Sequence, residues 1–190
     1  MKVLGISGSP RPGGNTDILV HLALDVLAEQ GIETEFLSLA DRPIKPCVAC
    51  RGCAKADRLD CVQHDPAFEG MVERFAAADG ILLGSPVYFG SATPQIMALL
   101  DRVGYVARCN RNFLRRKVGA AIVVARRAGQ NFTFAQLNFF FLINEMIVPG
   151  STYWNLAVAR EKGEVHHDAE GLQTIRTLAE NMAWVLKKLR

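Results

Sequence analysis

The chain has 190 residues, 49% of them hydrophobic and 22% charged, with a formal net charge of +3. That length and balance suit one globular domain, residues 1–190, whose core needs no disulfide staples. So small a charge, with no run of Lys or Arg interleaved with aromatics, argues against a nucleic-acid partner.

Val3, Leu4 and Ile6 open the chain as a strand, and Gly8-Ser-Pro-Arg-Pro-Gly-Gly-Asn-Thr16 cannot continue it. Asn15 and Thr16 have the chemistry of N-caps, and Asp17 favours a first helical turn. The helix that follows buries Ile18, Leu19, Leu22, Val26 and Leu27 until Gly31 stops it. Residues 32–39 alternate as a second strand, and a Cys-rich insertion at about 43–65 follows it. Pro66 opens a helix with Phe68, Met71, Val72 and Phe75 inward, ahead of a fully buried strand over 80–86. Pro94 starts a helix that uses Ile96, Leu99, Leu100 and Val103. Arg108, Arg111, Arg115, Arg116 and Lys117 read as a solvated turn before a fourth strand, 118–125. Residues 131–148 are mostly helical, 152–158 form a fifth strand, and 171–190 close the chain as an amphipathic helix with a basic end.

This alternation implies an α/β fold, a doubly wound three-layer sandwich with a five-stranded parallel sheet in the order 2-1-3-4-5. Ligands bind such sheets at the carboxyl ends of strands 1, 3 and 4. Those ends carry the three least ordinary loops in the chain: 7–16, 85–91 and 125–130.

The first loop is neither a Walker loop nor a dinucleotide turn. Gly14 and Asn15 stand where Lys and Ser/Thr would be required, and the glycines do not fit G-x-G-x-x-G. Its amides, with Ser7, Ser9, Asn15, Thr16 and Arg11, suit a single phosphate monoester such as that of FMN. The alternative is a Gly-rich turn that binds nothing. In the second loop, Pro86, Val87, Tyr88, Phe89 and Gly90 offer a flat apolar slot for a flavin ring, unless Tyr88 and Phe89 merely cap the core. In the third, Arg126, Arg127 and Gly129 offer charge and amides to the ring's N1–O2 side, unless the arginines only solvate a surface.

Gly8-Ser-Pro-Arg-Pro-Gly-Gly-Asn-Thr16, Asp79-Gly80, Gly84-Ser-Pro-Val-Tyr88 and Asp101-Arg102 together resemble the NADPH-dependent FMN reductase group of flavodoxin-like proteins. The resemblance covers residues 1 to about 150. It implies an FMN-binding domain in which Ser7, Ser9, Pro10, Arg11, Gly14, Asn15 and Thr16 hold the phosphate. Pro86, Val87, Tyr88, Phe89 and Gly90 would surround the ring and ribityl chain, and Ala125, Arg126, Arg127 and Gly129 would complete the site. Arg126-Arg127-Ala128 departs from the small, Gly-rich sequence expected there.

Cys47-x2-Cys50-x2-Cys53-x7-Cys61 places four thiols in one compact segment. Four thiolates suit a [4Fe–4S] cluster or a tetrahedral zinc ion, and unliganded thiols are the plain alternative. The spacing is similar to the motif of the iron–sulfur flavoprotein branch, which implies a cluster near the FMN. Cys109 stands apart and is expected to be a lone thiol, and His64, His166 and His167 are expected at the surface.

Three functions follow as expectations. The first is an NAD(P)H-dependent FMN oxidoreductase, with flavin N5 carrying the chemistry, no catalytic side chain, and a small-molecule or protein electron acceptor. The second is an iron–sulfur flavoprotein carrier reduced by ferredoxin. The third is a thiol-based redox sensor or metal-binding module. With Met1-Lys2 running straight into a strand and no apolar stretch long enough to span a bilayer, a cytoplasmic protein without a membrane partner is expected. Phe139-Phe-Phe-Leu-Ile143 is apolar almost all round, so it is either deeply buried or part of a subunit interface, and the resemblance implies a homodimer or homotetramer.

Overall fold

A computed structural model describes residues 1–55 and 59–189. Five strands are all parallel: β1 (Lys2–Ser7), β2 (Glu33–Ser38), β3 (Gly80–Pro86), β4 (Val118–Ala125) and β5 (Leu156–Val158). Their order is β2-β1-β3-β4-β5, as the alternation predicts. Helices α1 (Asn15–Glu29), α2 (Met71–Ala77), α3 (Pro94–Cys109), α4 (Gln130–Ile143) and α5 (Ala169–Lys188) cover both faces. β4 is buried at every position, as a central parallel strand must be when helices lie on each side.

Alternate residues of each strand feed opposite cores. Leu4, Ile6, Ile81, Leu83, Ala121 and Val123 pack with α2, α3 and α4. Val3, Leu82, Ala120, Ile122 and Val124 pack with α1 and α5. That two-residue period fixes the register and brings Ser7 level with Gly84, and Gly84 level with Ile122. The carboxyl ends of β1, β3 and β4 therefore finish side by side.

Several boundaries differ from expectation, each for a local reason. The N-cap of α1 is Gly14, so Asn15 and Thr16 lie inside the first turn and their side chains are released from capping. Residues 66–70 form turns, closed by Phe68 N–H to the Asp65 carbonyl (2.9 Å), and α2 starts only after Gly70 at φ +74°. α4 stops at Ile143, and Glu145 at φ +57° reverses the chain so that Ile147 lies beside β4. β5 is three residues long because Ser151, bonded to Tyr153 and Asn155, bends the segment before it. α5 begins at Ala169, where the Asp168 carboxylate caps Gly171 N–H at 2.9 Å.

The Cys-rich segment is tied down by one buried ion pair. Arg102, on α3, donates to the Asp65 carboxylate at 2.5 Å and to the carbonyls of Gln63 (3.1 Å) and Lys45 (3.3 Å). Its guanidinium lies 3.7 Å from the centre of the Phe68 ring, and the two charged side chains are 0% and 3% exposed. Burial pushes the Asp65 carboxyl up. The Lys45 amide, the Arg102 guanidinium and the Ala67 amide outweigh burial and hold it below its ordinary value. Both ends of the insertion are thus gripped from α3.

Candidate functional site

The loop after β1 is folded largely by its own side chains. Ser7 Oγ donates to Asp17 at 2.5 Å, and Gly13 N–H donates to the other Asp17 oxygen at 2.7 Å. Ser9 Oγ accepts from Arg11 N–H at 3.1 Å, and Gly14 N–H reaches the Arg11 carbonyl at 3.1 Å. These bonds leave the amides of Asn15, Thr16 and Asp17 without an acceptor among the described residues, at the positive end of a fifteen-residue helix.

Thr93 joins this loop to the next one, its hydroxyl donating to the Gly8 carbonyl at 2.7 Å and its amide to Ser85 Oγ at 3.1 Å. Residues 88–91 form a tight turn in which Tyr88 and Ser91 exchange backbone bonds. Phe89 sits at φ +52° with its side chain fully exposed, so it does not cap the core. The loop after β4 presses against this turn. Gly129 has φ +89°, and a Cβ there would lie 3.0 Å from Val87 Cγ1 and 3.3 Å from Gly90 Cα.

Between these loops lies a cleft of about 360 Å³. Ser9, Pro10, Arg11, Gly14, Asn15 and Thr16 form one wall, Pro86, Val87 and Tyr88 a second, and Val124 and Arg126 lie at the end of β4. Ser7 is buried against Asp17, while Phe89, Gly90, Ala125, Arg127 and Gly129 flank the cleft without lining it. A broader concavity of about 940 Å³ runs along β2 and the segment after it, lined by none of the residues of the three loops.

The fourth wall was not legible beforehand. Ala159, Arg160, Glu161 and Lys162, just after β5, also line the cleft. Asn15 holds them there: its Oδ1 accepts from the amides of Gly163 (2.8 Å) and Val165 (3.4 Å), and its Nδ2 donates to the Glu161 carbonyl at 2.8 Å. The Asn15 side chain is therefore engaged with the protein, and its amide is the group left for a ligand. Glu164 accepts from the amides of Glu161 and Arg160, which hold its carboxyl below the ordinary value. Lys162 Nζ rests 3.0 Å from the Pro12 carbonyl. Arg11, Arg126 and Lys162 have no ion pair among the described residues, whereas Arg160 pairs with Glu161 at 3.1 Å. The only sequence signal for this wall is a basic Arg-Glu-Lys directly after a strand.

The cysteines are placed less compactly than their spacing suggests. Cys47 and Cys50 are exposed, Cys61 is half-buried and Cys53 is buried, and none is in a disulfide. Four thiols are the right donors for a [4Fe–4S] cluster. Among the described residues, however, no three His, Cys, Asp or Glu side chains are gathered as metal ligands. Cys109 is exposed. The Cys53 thiol is pushed up to about 11, chiefly by burial and then by the neighbouring Cys109 and Cys61. His64, His166 and His167 are exposed.

A free helix N-terminus, an apolar turn and unpaired cations at the carboxyl edge of a doubly wound sheet suit a phosphorylated flavin. A profile of the NADPH-dependent FMN reductase family matches residues 1–161. The chain belongs to that family. This FMN reductase-family chain is 41% identical to an iron–sulfur flavoprotein of Methanocaldococcus jannaschii, with 100% of each chain covered. Among solved structures it resembles a flavone reductase (TM-score 0.74, 21% identity), covering 100% of this chain and 64% of that one. It also resembles a flavodoxin from the domain Archaea (TM-score 0.64, 14% identity), with 98% and 99% covered. The family member is an FMN-dependent oxidoreductase of flavodoxin-like fold, and no helix among its described residues is long and apolar enough to cross a membrane.

Proposed function

We propose that FMN occupies the 360 Å³ cleft and that the chain passes electrons from NAD(P)H through it to a small-molecule or protein acceptor. One observation carries this: the loops after β1, β3, β4 and β5 converge on a space offering free amides at one end and an apolar turn at the other. When bound, FMN supplies hydride acceptance and donation at its ring. The chain binds and orients. The amides of Asn15, Thr16 and Asp17, with the hydroxyls of Ser9 and Thr16, hold the phosphate, while Arg11 and Lys162 balance its charge. Pro86, Val87 and Tyr88 wall the ring, and Arg126 brings positive charge to its N1–O2 side. No side-chain acid or base is required.

Titration of flavin-free protein with FMN, followed by anaerobic addition of NADPH, tests this reading. The expected results are one FMN per chain and bleaching of the bound flavin. A chain that takes up no FMN refutes the site, and one that binds FMN without bleaching by NADPH or NADH refutes the donor.

A second reading is an iron–sulfur flavoprotein carrier, with ferredoxin as donor and a [4Fe–4S] cluster on Cys47, Cys50, Cys53 and Cys61. The 41% relative bears that name, and the four thiols are the right donors in kind. Iron and sulfide analysis after anaerobic isolation separates the two. We also place the chain in the cytoplasm and propose self-association through Phe132, Phe139, Leu142 and Ile143 on α4, which are 60–76% exposed.

A further inference from the structure

We propose that Phe89 is a stacking platform beside the FMN cleft, receiving the flat unsaturated ring of the molecule that exchanges electrons with the flavin. The inference rests on FMN occupying that cleft. Phe89 stands where folding alone would not put a phenylalanine. The turn over residues 88–91 is closed by two backbone bonds, Tyr88 N–H to the Ser91 carbonyl (2.8 Å) and Ser91 N–H to the Tyr88 carbonyl (3.0 Å). Its central residues, Phe89 at φ +52° and Gly90 at φ +79°, are both left-handed, a pattern whose ordinary occupants are Asn or Asp followed by Gly. A bulky side chain is disfavoured there because its Cβ crowds its own backbone. Burial does not offset that strain, since the Phe89 side chain is 108% exposed. Backbone sterics and the hydrophobic effect both oppose phenylalanine at this position, and strain that folding does not explain points to function.

The turn is braced, so the ring is presented in a fixed place. Gln136, on α4, accepts at Oε1 from Ser91 Oγ (3.0 Å) and from the Ala92 amide (2.8 Å). Val87 N–H donates to the Val124 carbonyl at 2.9 Å, and Gly129 packs closely on Val87 and Gly90. Val87 and Tyr88, just before Phe89, line the cleft. A Cβ added at Gly90, just after it, would meet nothing within 4 Å, so the space next to Phe89 is open. A nicotinamide or a quinone that exchanges electrons with a flavin lies flat against the flavin ring. Entering beside the 88–91 turn, such a ring meets the Phe89 side chain in the offset or edge-on contact that aromatic pairs favour. An uncharged aromatic platform selects flat, unsaturated partners over compact charged ones.

The test uses the full chain loaded with oxidised FMN, which does not react with NADP⁺ or menadione, so calorimetric titration of each reads binding alone. Phe89→Asn is expected to weaken at least one of the two about fivefold, while Phe89→Trp keeps the affinity. Loss confined to NADP⁺ assigns the platform to the donor, and loss confined to menadione assigns it to the acceptor. 2′-Phospho-ADP-ribose, which lacks the nicotinamide ring, is expected to bind Phe89→Asn and the unaltered chain equally. FMN content is expected to stay the same, and Phe89→Asn to melt no lower than the unaltered chain, because Asn tolerates the left-handed backbone. Unaltered protein that binds neither ring overturns the proposal, as do unchanged affinities in Phe89→Asn or a matching loss for 2′-phospho-ADP-ribose. A lower Tm or a smaller assembly in Phe89→Asn also overturns it, by showing that protein covers the ring. A chain that takes up no FMN refutes the cleft assignment and this inference with it, whereas failure with FMN bound leaves the cleft standing.

Discussion

Replacing Arg102 by Met removes one partner of the buried ion pair while keeping a long apolar side chain in its place. Asp65 keeps two donors, the amides of Lys45 at 2.9 Å and Ala67 at 3.2 Å, but loses the guanidinium at 2.5 Å. The carbonyls of Lys45 and Gln63 lose their donor as well. Breaking a buried pair from one side costs about 3–5 kcal/mol. For a chain of this length that lowers Tm by roughly 6–20 °C. The pH dependence identifies the cause. In the native chain the folded Asp65 carboxyl titrates below its unfolded value, so its stabilisation is present above that unfolded value and lost as pH falls through the folded one. In Arg102→Met burial is opposed only by the amides of Lys45 and Ala67, so the folded value rises and the stabilisation gained between acid and neutral pH shrinks. The gap between the two proteins is therefore widest near neutrality and narrows towards about pH 4, close to the unfolded Asp value. Urea unfolding across that range measures it, and the double variant Arg102→Met/Asp65→Leu is expected to recover most of the loss. A deficit below about 1 kcal/mol at neutral pH, or one that does not change with pH, would refute the account.

Ser9→Asp sets a carboxylate against the ligand's phosphate and is expected to abolish FMN retention; near-stoichiometric FMN in the purified variant counts against the loop. Lys162→Ala is expected to weaken FMN about tenfold, the effect of roughly 1.4 kcal/mol, while leaving riboflavin affinity unchanged, since riboflavin lacks the phosphate. Equal weakening of both ligands, measured by fluorescence titration, places Lys162 elsewhere. Gly129→Val forces a branched side chain into φ +89° and onto Val87 and Gly90. It should lower stability by about 1–3 kcal/mol and reduce flavin affinity together, as read by thermal melts with and without FMN.

The fold was largely legible because β1, β3 and β4 announce themselves as short apolar runs bounded by Gly, Pro or charged residues, and such runs need helices on both faces. β5 and the start of α2 were harder. Their limits depend on Ser151 bending one segment and Gly70 turning the other, and neither interaction leaves a periodic trace. Three of the cleft's walls lie where the loops after strands 1, 3 and 4 were expected. The fourth, residues 159–162, depends on the Asn15 side chain reaching across the fold, and sequence spacing carries no record of so distant a bond.

The bond from Asn15 to Gly163 spans 148 positions. A nascent chain that has emerged only as far as β4 already owns the loop after β1, yet it lacks the strap that closes over it. Ligand capture in full strength thus comes late in synthesis, once the last quarter of the polypeptide has docked. Shortening the protein from its carboxyl end should loosen a grip whose most recognisable residues sit at the opposite terminus.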